Sequence, residues 1–357
     1  MSRRPIGYYV HHQGAGHWQR ACLIAAHLDR PVTLIGTFGE IETGGAPGAV
    51  LDLPDDRLTG FDGRDGEAER PQALHYAPLG ADAIRARMAR LAAWIGASDP
   101  VLMIVDVSVE IALFARLMSV PTLTVRLAGN RTDTPHLEAF RGAKKVLAFF
   151  PPALEAAGTP DWVRSKTLYA GFVSAGSATG RSEPEDGSIV VIYGRGGEGG
   201  GLGDLAAAAR MVPDRTWHVL GPVRETDATV LTRLPANLHC HGWVADPAPF
   251  LARAALVIGG GGDGVVAGVA ASAKRFVCLS EARAFDEQVT KADALHAMGA
   301  AIHRRDWPAA AEWPGLVRAG LALDPAVIGA LVQPDSARRA AGLIAAEANR
   351  IEGLRRS

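Results

Sequence analysis

Cysteine is scarce in this chain, and no long apolar run interrupts it. Its 357 residues include three cysteines, Cys22, Cys240 and Cys278. They lie far apart, each within or beside an apolar run. An odd number without framework spacing reads as reduced, buried thiols rather than a disulfide scaffold. An excess of one charge is missing too. The 37 Lys and Arg against 38 Asp and Glu leave a formal net charge of −1, so nothing global points to a nucleic-acid partner. No stretch reaches the ~18 uncharged apolar residues that a bilayer span needs. The basic start, Met1-Ser2-Arg3-Arg4-Pro5, is followed only by Ile6–Val10 before a pair of histidines, too short for a signal-peptide core. These absences predict a cytoplasmic protein that is not integral to a membrane, and leave room for peripheral contact at its inner face.

What is present is ordinary globular composition, 48% hydrophobic and 21% charged, over a length comfortable for two domains. Short apolar runs alternate with helical patterns. Ile6–Val10, Val32–Ile35, Val101–Val105, Thr122–Val125 and Val146–Phe149 read as buried strands, with helices over Trp18–Leu28, Ala81–Trp94 and Val109–Met118. A second series opens at Ser188. Its strands are Ile189–Tyr193, Thr216–Leu220, Ala255–Ile258 and Phe276–Leu279, and its helices lie near Leu202–Met211, Val265–Ala271 and Gln288–Met298. Such alternation of helices with continuously apolar strands predicts parallel sheets covered on both faces. Residues 174–187 between the series are small, polar, Gly/Ser-rich and acidic, the best linker in the chain. The expected class is therefore α/β. A doubly wound domain over 1–173 precedes the linker, a second covers 188–335, and a C-terminal helical segment, 336–357, is free to pack back on the first domain.

Open parallel sheets bind ligands beyond the carboxyl ends of their strands, and a pair of such domains places a site in the cleft between them. The first loop of interest is His11-His12-Gln13-Gly14-Ala15-Gly16-His17, directly after the first strand. Gly14 and Gly16 allow a tight turn with close ligand approach, and the helix start offers free N–H groups to an anion. His17 in the first turn suits a general base or a phosphate ligand, and His12 a contact to an acceptor. Adjacent His11 and His12 point to opposite sides of a strand, so they make a poor metal pair, and no metal is expected. Asp106 ends the run Val101–Val105. It reads either as the carboxylate that orients His17 or as a plain N-cap for the next helix. Arg126 and Arg131 flank a polar loop on the same edge, suited to acceptor or phosphate, although surface solvation explains them equally.

In the second series Tyr193 leads into a glycine-rich loop with Gly194, Arg195, Gly196 and Gly197. Its N–H groups can wrap a phosphate while Arg195 supplies charge. The strongest signal is Gly259-Gly260-Gly261-Gly262-Asp263-Gly264 running from a strand into the helix that opens at Val265, an anion-binding arrangement. Farther on, Phe285-Asp286-Glu287-Gln288 opens another helix. Gln288 can donate to sugar hydroxyls, and Asp286 and Glu287 can accept from them. Gly259, Gly261 and Gly264 also fit a dinucleotide fingerprint with Glu281 as its ribose acid, so an NAD-type enzyme is the rival.

With these residues in place, Ala255–Gly299 resembles the donor-binding domain of the glycosyltransferases related to the peptidoglycan lipid-intermediate N-acetylglucosaminyltransferase. The shared pattern is a strand, a glycine turn, a helix, a second strand, a Gln near an N-A dipeptide, and Gly-Ala. Here it appears as Val257–Gly264, Val265–Ala271, Phe276–Leu279, Gln288, Lys291-Ala292 and Gly299-Ala300. Gly14-Ala15-Gly16-His17 resembles the family's amino-terminal glycine loop, and His241-Gly242-Trp243-Val244 the segment that receives the donor base. The resemblance implies the GT-B fold, with Rossmann-like domains about an interdomain cleft. It also implies no metal or cofactor, inversion at the anomeric carbon, and a diphosphate leaving group stabilised by helix dipoles. The expected activity is transfer of a hexose or N-acetylhexosamine from a nucleotide-diphosphate sugar, UDP foremost, to a hydroxyl of a glycan, lipid-linked or small-molecule acceptor. A nucleotide-sugar hydrolase and a non-catalytic nucleotide-sugar-binding protein are the alternatives. Where the family carries a ribose-gripping Glu, this chain has Gly268. A last expectation concerns Ile84–Trp94, where Arg85, Arg87 and Arg90 lie beside Met88, Leu91 and Trp94. That helix either rests on an anionic membrane or simply covers the core.

Overall fold

Strands that are apolar on both faces must be covered on both faces, and this requirement organises the chain. A computed structural model describes residues 3–11, 15–39, 41–57, 68–173, 185–194, 200–224 and 234–356. In the first domain the strands are β1 (Ile6–Tyr9), β2 (Val32–Gly36), β3 (Ala49–Asp52), β4 (Leu102–Asp106), β5 (Thr122–Arg126), β6 (Lys145–Ala148) and β7 (Thr167–Tyr169). They form one sheet in the order β3-β2-β1-β4-β5-β6-β7, every pair parallel. Its helices are α1 (Ala15–Ala25), α2 (Asp82–Ser98), α3 (Val109–Leu117), α4 (Thr134–Gly142) and α5 (Asp161–Lys166).

The second domain repeats the plan. Its strands are β8 (Ile189–Ile192), β9 (Gly200–Gly201), β10 (Trp217–Leu220), β11 (Val223–Arg224), β12 (Leu238–Cys240), β13 (Leu256–Gly259), β14 (Phe276–Leu279) and β15 (Ile302–Arg304). The main sheet runs β12-β10-β8-β13-β14-β15, while β9 and β11 pair apart from it. Its helices are α6 (Leu202–Met211), α7 (Ala248–Arg253), α8 (Asp263–Ala271), α9 (Glu287–Ala297), α10 (Trp313–Leu321) and α11 (Pro325–Gly329). In each sheet the first strand of the domain has neighbours reached in opposite directions. β1 lies between β2 and β4, and β8 between β10 and β13. These are the topological switch points, where open sheets leave a crevice.

The expected interior strands all form, within a residue or two of their expected limits. The sheet edges β3, β7, β12 and β15 carry no comparable sequence signal, because an edge strand has one neighbour and need not be apolar. β3 is largely exposed, and β12 and β15 each contain a histidine. The domains share apolar surface: Ala128, Phe150 and Leu154 of the first join Val266, Ala292 and Leu295 of the second in one cluster.

In α2 the apolar side chains beside the arginines cover the core. Arg87 is buried, donating to Thr37 Oγ1 at 2.8 Å and the Pro54 carbonyl at 2.6 Å. Leu91 and Ile95 are buried beside it, and Trp94 lies over Gly7, where a Cβ would stand 2.7 Å from the indole. The apolar face therefore covers the first sheet, leaving Arg85 and Arg90 exposed. Among the described residues no helix is long and apolar enough to cross a membrane.

A final helix, α12 (Ser336–Arg356), returns to the first domain. Its Ala340, Ala341, Ile344, Ala348 and Ile351 join Ile6, Ile24 and Leu34 in one core, and Arg30 pairs with Glu352 at 2.8 Å. Ile344 is fully buried. An Ile344→Ala variant should lose about 2–5 kcal/mol, read as a lower urea midpoint with an unchanged slope.

Candidate active site

The register Tyr9↔Val105 sets the end of β1 level with the end of β4. The helix after β1 therefore starts beside Asp106, whose side chain is fully buried. A carboxylate taken out of water must be compensated by partners. α1 supplies both of them one turn apart, on the same helix face. His17 Nδ1 lies 2.8 Å from Oδ2, and Arg20 NH2 lies 3.1 Å from Oδ1 and 3.0 Å from Oδ2. Arg20 NH2 is also 3.0 Å from His17 Nδ1. The guanidinium can only donate, so both nitrogens are best read as donors converging on one carboxylate. That tautomer places the proton on Nδ1 and leaves Nε2 as a base. Burial alone would raise the Asp106 carboxyl. Arg20, then His17, outweigh burial and hold it well below the usual carboxylate range. Arg20 is in turn raised by Asp106 despite its own burial.

The N-cap alternative for Asp106 is overturned. Ser108 caps α3 by accepting the Ile111 N–H. Between them Val107 takes φ 72°, a left-handed conformation that is strained for a β-branched residue. Strain of this kind persists where surrounding contacts overrule it, here next to the buried carboxylate.

Across the cleft, β13 ends at Gly259 and α8 starts at Asp263 with Gly262 as N-cap and no side-chain cap bond. The first N–H groups of α8 therefore have no capping side chain to oppose an anion. Asp263 pairs with the fully buried Lys291, which also donates to the Gly261 carbonyl at 3.0 Å. Arg20 NH1 approaches Asp263 Oδ2 to 3.8 Å. Burial would raise the Asp263 carboxyl, but Lys291 and Arg20 lower it overall. One arginine thus touches the carboxylates of both domains.

Gln288 differs from expectation. Its Oε1 accepts from the Gly261 N–H at 2.9 Å and the Glu281 N–H at 3.0 Å, and its Nε2 donates to Glu281 Oε2 at 3.0 Å. The buried amide braces the glycine turn. The turn accepts this brace because a Cβ on Gly261 would meet the Gln288 backbone at 3.0 Å. Val265 is buried in the core, so only its main chain can meet a ligand. Among the described residues nothing stands within 4 Å of a Cβ placed on Gly16, Gly264 or Gly194, the last just past the end of β8.

The two arginines assigned to an acceptor both have partners within the protein. Arg126 is buried, forking onto Glu155 at 2.8 and 2.6 Å. Arg131 lies over the Phe285 ring at 5.0 Å and pairs with Glu287 at 3.2 Å. Beside it, Asn130 N–H donates to the Phe285 carbonyl at 2.7 Å and its amide to Asp286 at 3.1 Å. Gly129, at φ 103°, permits this approach, since a Cβ there would stand 2.5 Å from the Phe285 carbonyl oxygen. Asp286 and Glu287, the candidate sugar contacts, are therefore held by the other domain. Trp243 is 51% exposed and Val244 packs on the core. A Cβ at Gly268 would meet Leu251 Cδ1 at 3.3 Å. His12, Gly14, Arg195, Gly196 and Gly197 lie outside the described residues. Sequence reasoning missed Arg20, Lys291 and Asn130, although Arg20 follows His17 by one helical turn. The described residues that could hold a metal, His75, Asp133 and His136, form a separate cluster.

No family model matches the sequence, and no curated protein does. Solved structures do. The chain is similar to the glycotransferase of kitacinnamycin, with TM-score 0.65 at 15% identity over 99% of each chain. It is also similar to Acinetobacter baumannii MurG, with TM-score 0.61 at 16% identity over 95% of this chain and 99% of that one. A third is the spinosyn rhamnosyltransferase SpnG complexed with thymidine diphosphate, with TM-score 0.61 at 18% identity, covering 97% and 95% of the two chains. The fold shared with these proteins is GT-B, as the residue-level resemblance implied.

The Asp106 cluster predicts an acid limb in stability. An unfolded Asp titrates near about 3.9, and the folded carboxyl titrates lower. Its contribution is therefore complete above about pH 4 and drains away as pH falls through the folded value. Asp106→Asn should flatten that limb and, at neutral pH, lose about 3–5 kcal/mol by leaving Arg20 buried beside an uncharged partner. Urea unfolding of both proteins across the acid range checks the slope and the offset.

Proposed function

We propose that the chain is a metal-independent, inverting glycosyltransferase. It moves a hexose or N-acetylhexosamine from a nucleotide-diphosphate sugar, UDP-linked in the leading form, to an acceptor hydroxyl of a glycan, a lipid-linked glycan or a small molecule. One observation carries this reading. The His17–Asp106 pair and the uncapped start of α8 belong to different domains, yet Arg20 reaches both, at 3.0 Å from Asp106 and 3.8 Å from Asp263. A general base and an anion-binding helix start thus share one cleft.

In the reaction the acceptor hydroxyl gives its proton to His17 Nε2 while its oxygen bonds to the anomeric carbon. The bond from that carbon to the donor phosphate oxygen breaks, and its electron pair leaves with the diphosphate. Attack opposite the leaving group inverts the anomeric carbon. Asp106 steadies the imidazolium that forms. The N–H groups and dipole of α8, with Arg20, meet the charge that grows on the diphosphate, a task a divalent ion performs elsewhere. Gly14 and Gly16, and Gly194 to Gly197 with Arg195, are assigned to the same diphosphate, and Trp243 and Val244 to the base. Asp286 and Glu287 are assigned to sugar hydroxyls, which compete there with Asn130 and Arg131. SpnG is solved with thymidine diphosphate and with spinosyn aglycone, which supports a donor and an acceptor meeting in this fold.

A second reading, a nucleotide-sugar-binding protein without turnover, rests on Gly268, which brings no ribose-gripping carboxylate to α8. Turnover with UDP-sugars and an acceptor panel decides between them. His17→Ala should lose about 10²–10⁴-fold in turnover while binding UDP as the parent does in calorimetry. Activity that survives this change removes His17 as the base. UDP released without any acceptor identifies a hydrolase. Binding by the parent protein without turnover selects the second reading, and stabilisation by NAD alone overturns both.

A further inference from the structure

A separate polar cluster sits at the domain junction. Asp133 caps α4, accepting the His136 N–H through Oδ1 at 3.3 Å, and its carboxylate is shared by two imidazoles. His75 Nε2 lies 2.7 Å from Oδ1, and His136 Nδ1 lies 2.7 Å from Oδ2. One ligand atom from each of these residues falls within 4.8 Å of the others. Imidazole nitrogens converging with a carboxylate oxygen suit a borderline divalent cation, zinc above all. We propose that His75, Asp133 and His136 bind one zinc-class divalent cation, with water completing the fourth position on the half-exposed His75 side.

The surroundings hold these groups in place before any cation arrives. Glu110 Oε1 accepts the main-chain N–H groups of His75 at 2.7 Å and Tyr76 at 3.0 Å, which fixes the segment carrying His75. His136 stands in the first turn of α4 and packs edge-on to Phe285, with ring centroids 4.7 Å apart. Ligands positioned by outer contacts need little rearrangement on binding. His136 Nδ1 already points at Asp133 Oδ2 from 2.7 Å, so the ligating nitrogen faces the place a cation would take. A tetrahedral zinc with bonds of about 2.0–2.2 Å sets its ligand atoms about 3.3 Å apart. The short contacts to Asp133 open slightly and the two imidazoles close in.

The cation takes the place of the protons now aimed at Asp133. The His75 proton moves to Nδ1. The His136 proton moves to Nε2, which now faces Arg131 NH1 at 3.2 Å. Two donors cannot share that gap, so NH1 turns away, while NH2 keeps its contact with Glu287 at 3.2 Å. Zinc at this site therefore breaks the contact between His136 and Arg131 beside the Phe285-Asp286-Glu287 loop, whether or not the chain transfers a sugar.

Histidines elsewhere supply the control. His218 Nδ1 and His241 Nε2 lie 3.0 Å apart at the exposed edge of the second sheet, with His239 stacked on His218. The experiment uses the full chain, stripped with a chelator and titrated with zinc in a calorimeter and with cobalt by visible absorption. One equivalent of zinc, tetrahedral cobalt bands and a raised Tm are expected. His75→Ala changes a half-exposed side chain, and it should weaken zinc binding at least about 10-fold. Asp133→Asn should do the same, whereas His241→Ala should bind as the parent does. The proposal is overturned if the parent takes up no zinc. It is overturned equally if His75→Ala and Asp133→Asn, each folded by circular dichroism, bind as tightly as the parent.

Discussion

The buried carboxylate of Asp106 is the constraint from which the site follows. A lone ionised group in the interior is far too costly to persist, so the fold must bring compensation to it. That compensation comes from α1, which delivers His17 and Arg20 from adjacent turns. The arrangement fixes the imidazole tautomer, holds the helix start against the end of β4, and overrules the strain at Val107. Because Arg20 is long and carries several donors, one guanidinium serves Asp106 and still reaches Asp263. The electrostatics of the first domain and the glycine turn of the second are thereby parts of one network.

The second domain solves a different problem with small residues. A helix start can face an anion only if the backbone before it turns sharply and no side chain fills the space. Gly260, Gly261 and Gly262 meet that need, but such a turn has no side chains to hold its own shape. Gln288 supplies the rigidity from outside, bonding the Gly261 and Glu281 N–H groups through a single oxygen. Lys291, one turn later, ties the Gly261 carbonyl to Asp263. The polar face at the start of α9 thus acts as the scaffold of the glycine turn, and preorganisation of this kind is what makes fixed dipoles effective.

Sequence reading succeeded where local pattern and tertiary requirement coincide. Interior strands are apolar because both faces are covered, so runs such as Leu102–Val105 are legible without a structure. The edge strands are not, since their pairing depends on a neighbour rather than on composition. In the site, His17 and Asp106 were legible as residue types at strand ends, where open sheets concentrate chemistry. Their contact joins residues far apart in the chain and became visible only with the fold. Long polar side chains were the hardest to read. Arg126, Arg131 and Gln288 lie near the cleft and look like ligand contacts, and nothing in the sequence signals the internal partners each one has. Arg20 was overlooked for the converse reason, as an arginine in an amphipathic helix ordinarily reads as solvated. Periodicity tells which face is apolar, and says nothing about which charge has a buried partner.

Comparing the two His–Asp assemblies of the first domain shows why similar residues suit different chemistry. At Asp106 a permanent cation, Arg20, already shares the carboxylate, so the local charge is balanced and an additional metal ion would be repelled. What remains available is one imidazole nitrogen with a firmly ionised partner behind it, the arrangement that proton transfer requires. At Asp133 no guanidinium of the described residues touches the carboxylate, and Arg131 contacts His136 on its far side instead. Each carboxylate oxygen there meets an imidazole N–H that a metal can displace without leaving an uncompensated charge. The position of one arginine, on the carboxylate in the first case and behind the imidazole in the second, separates the proposed proton-transfer site from the proposed cation site built of the same residue types.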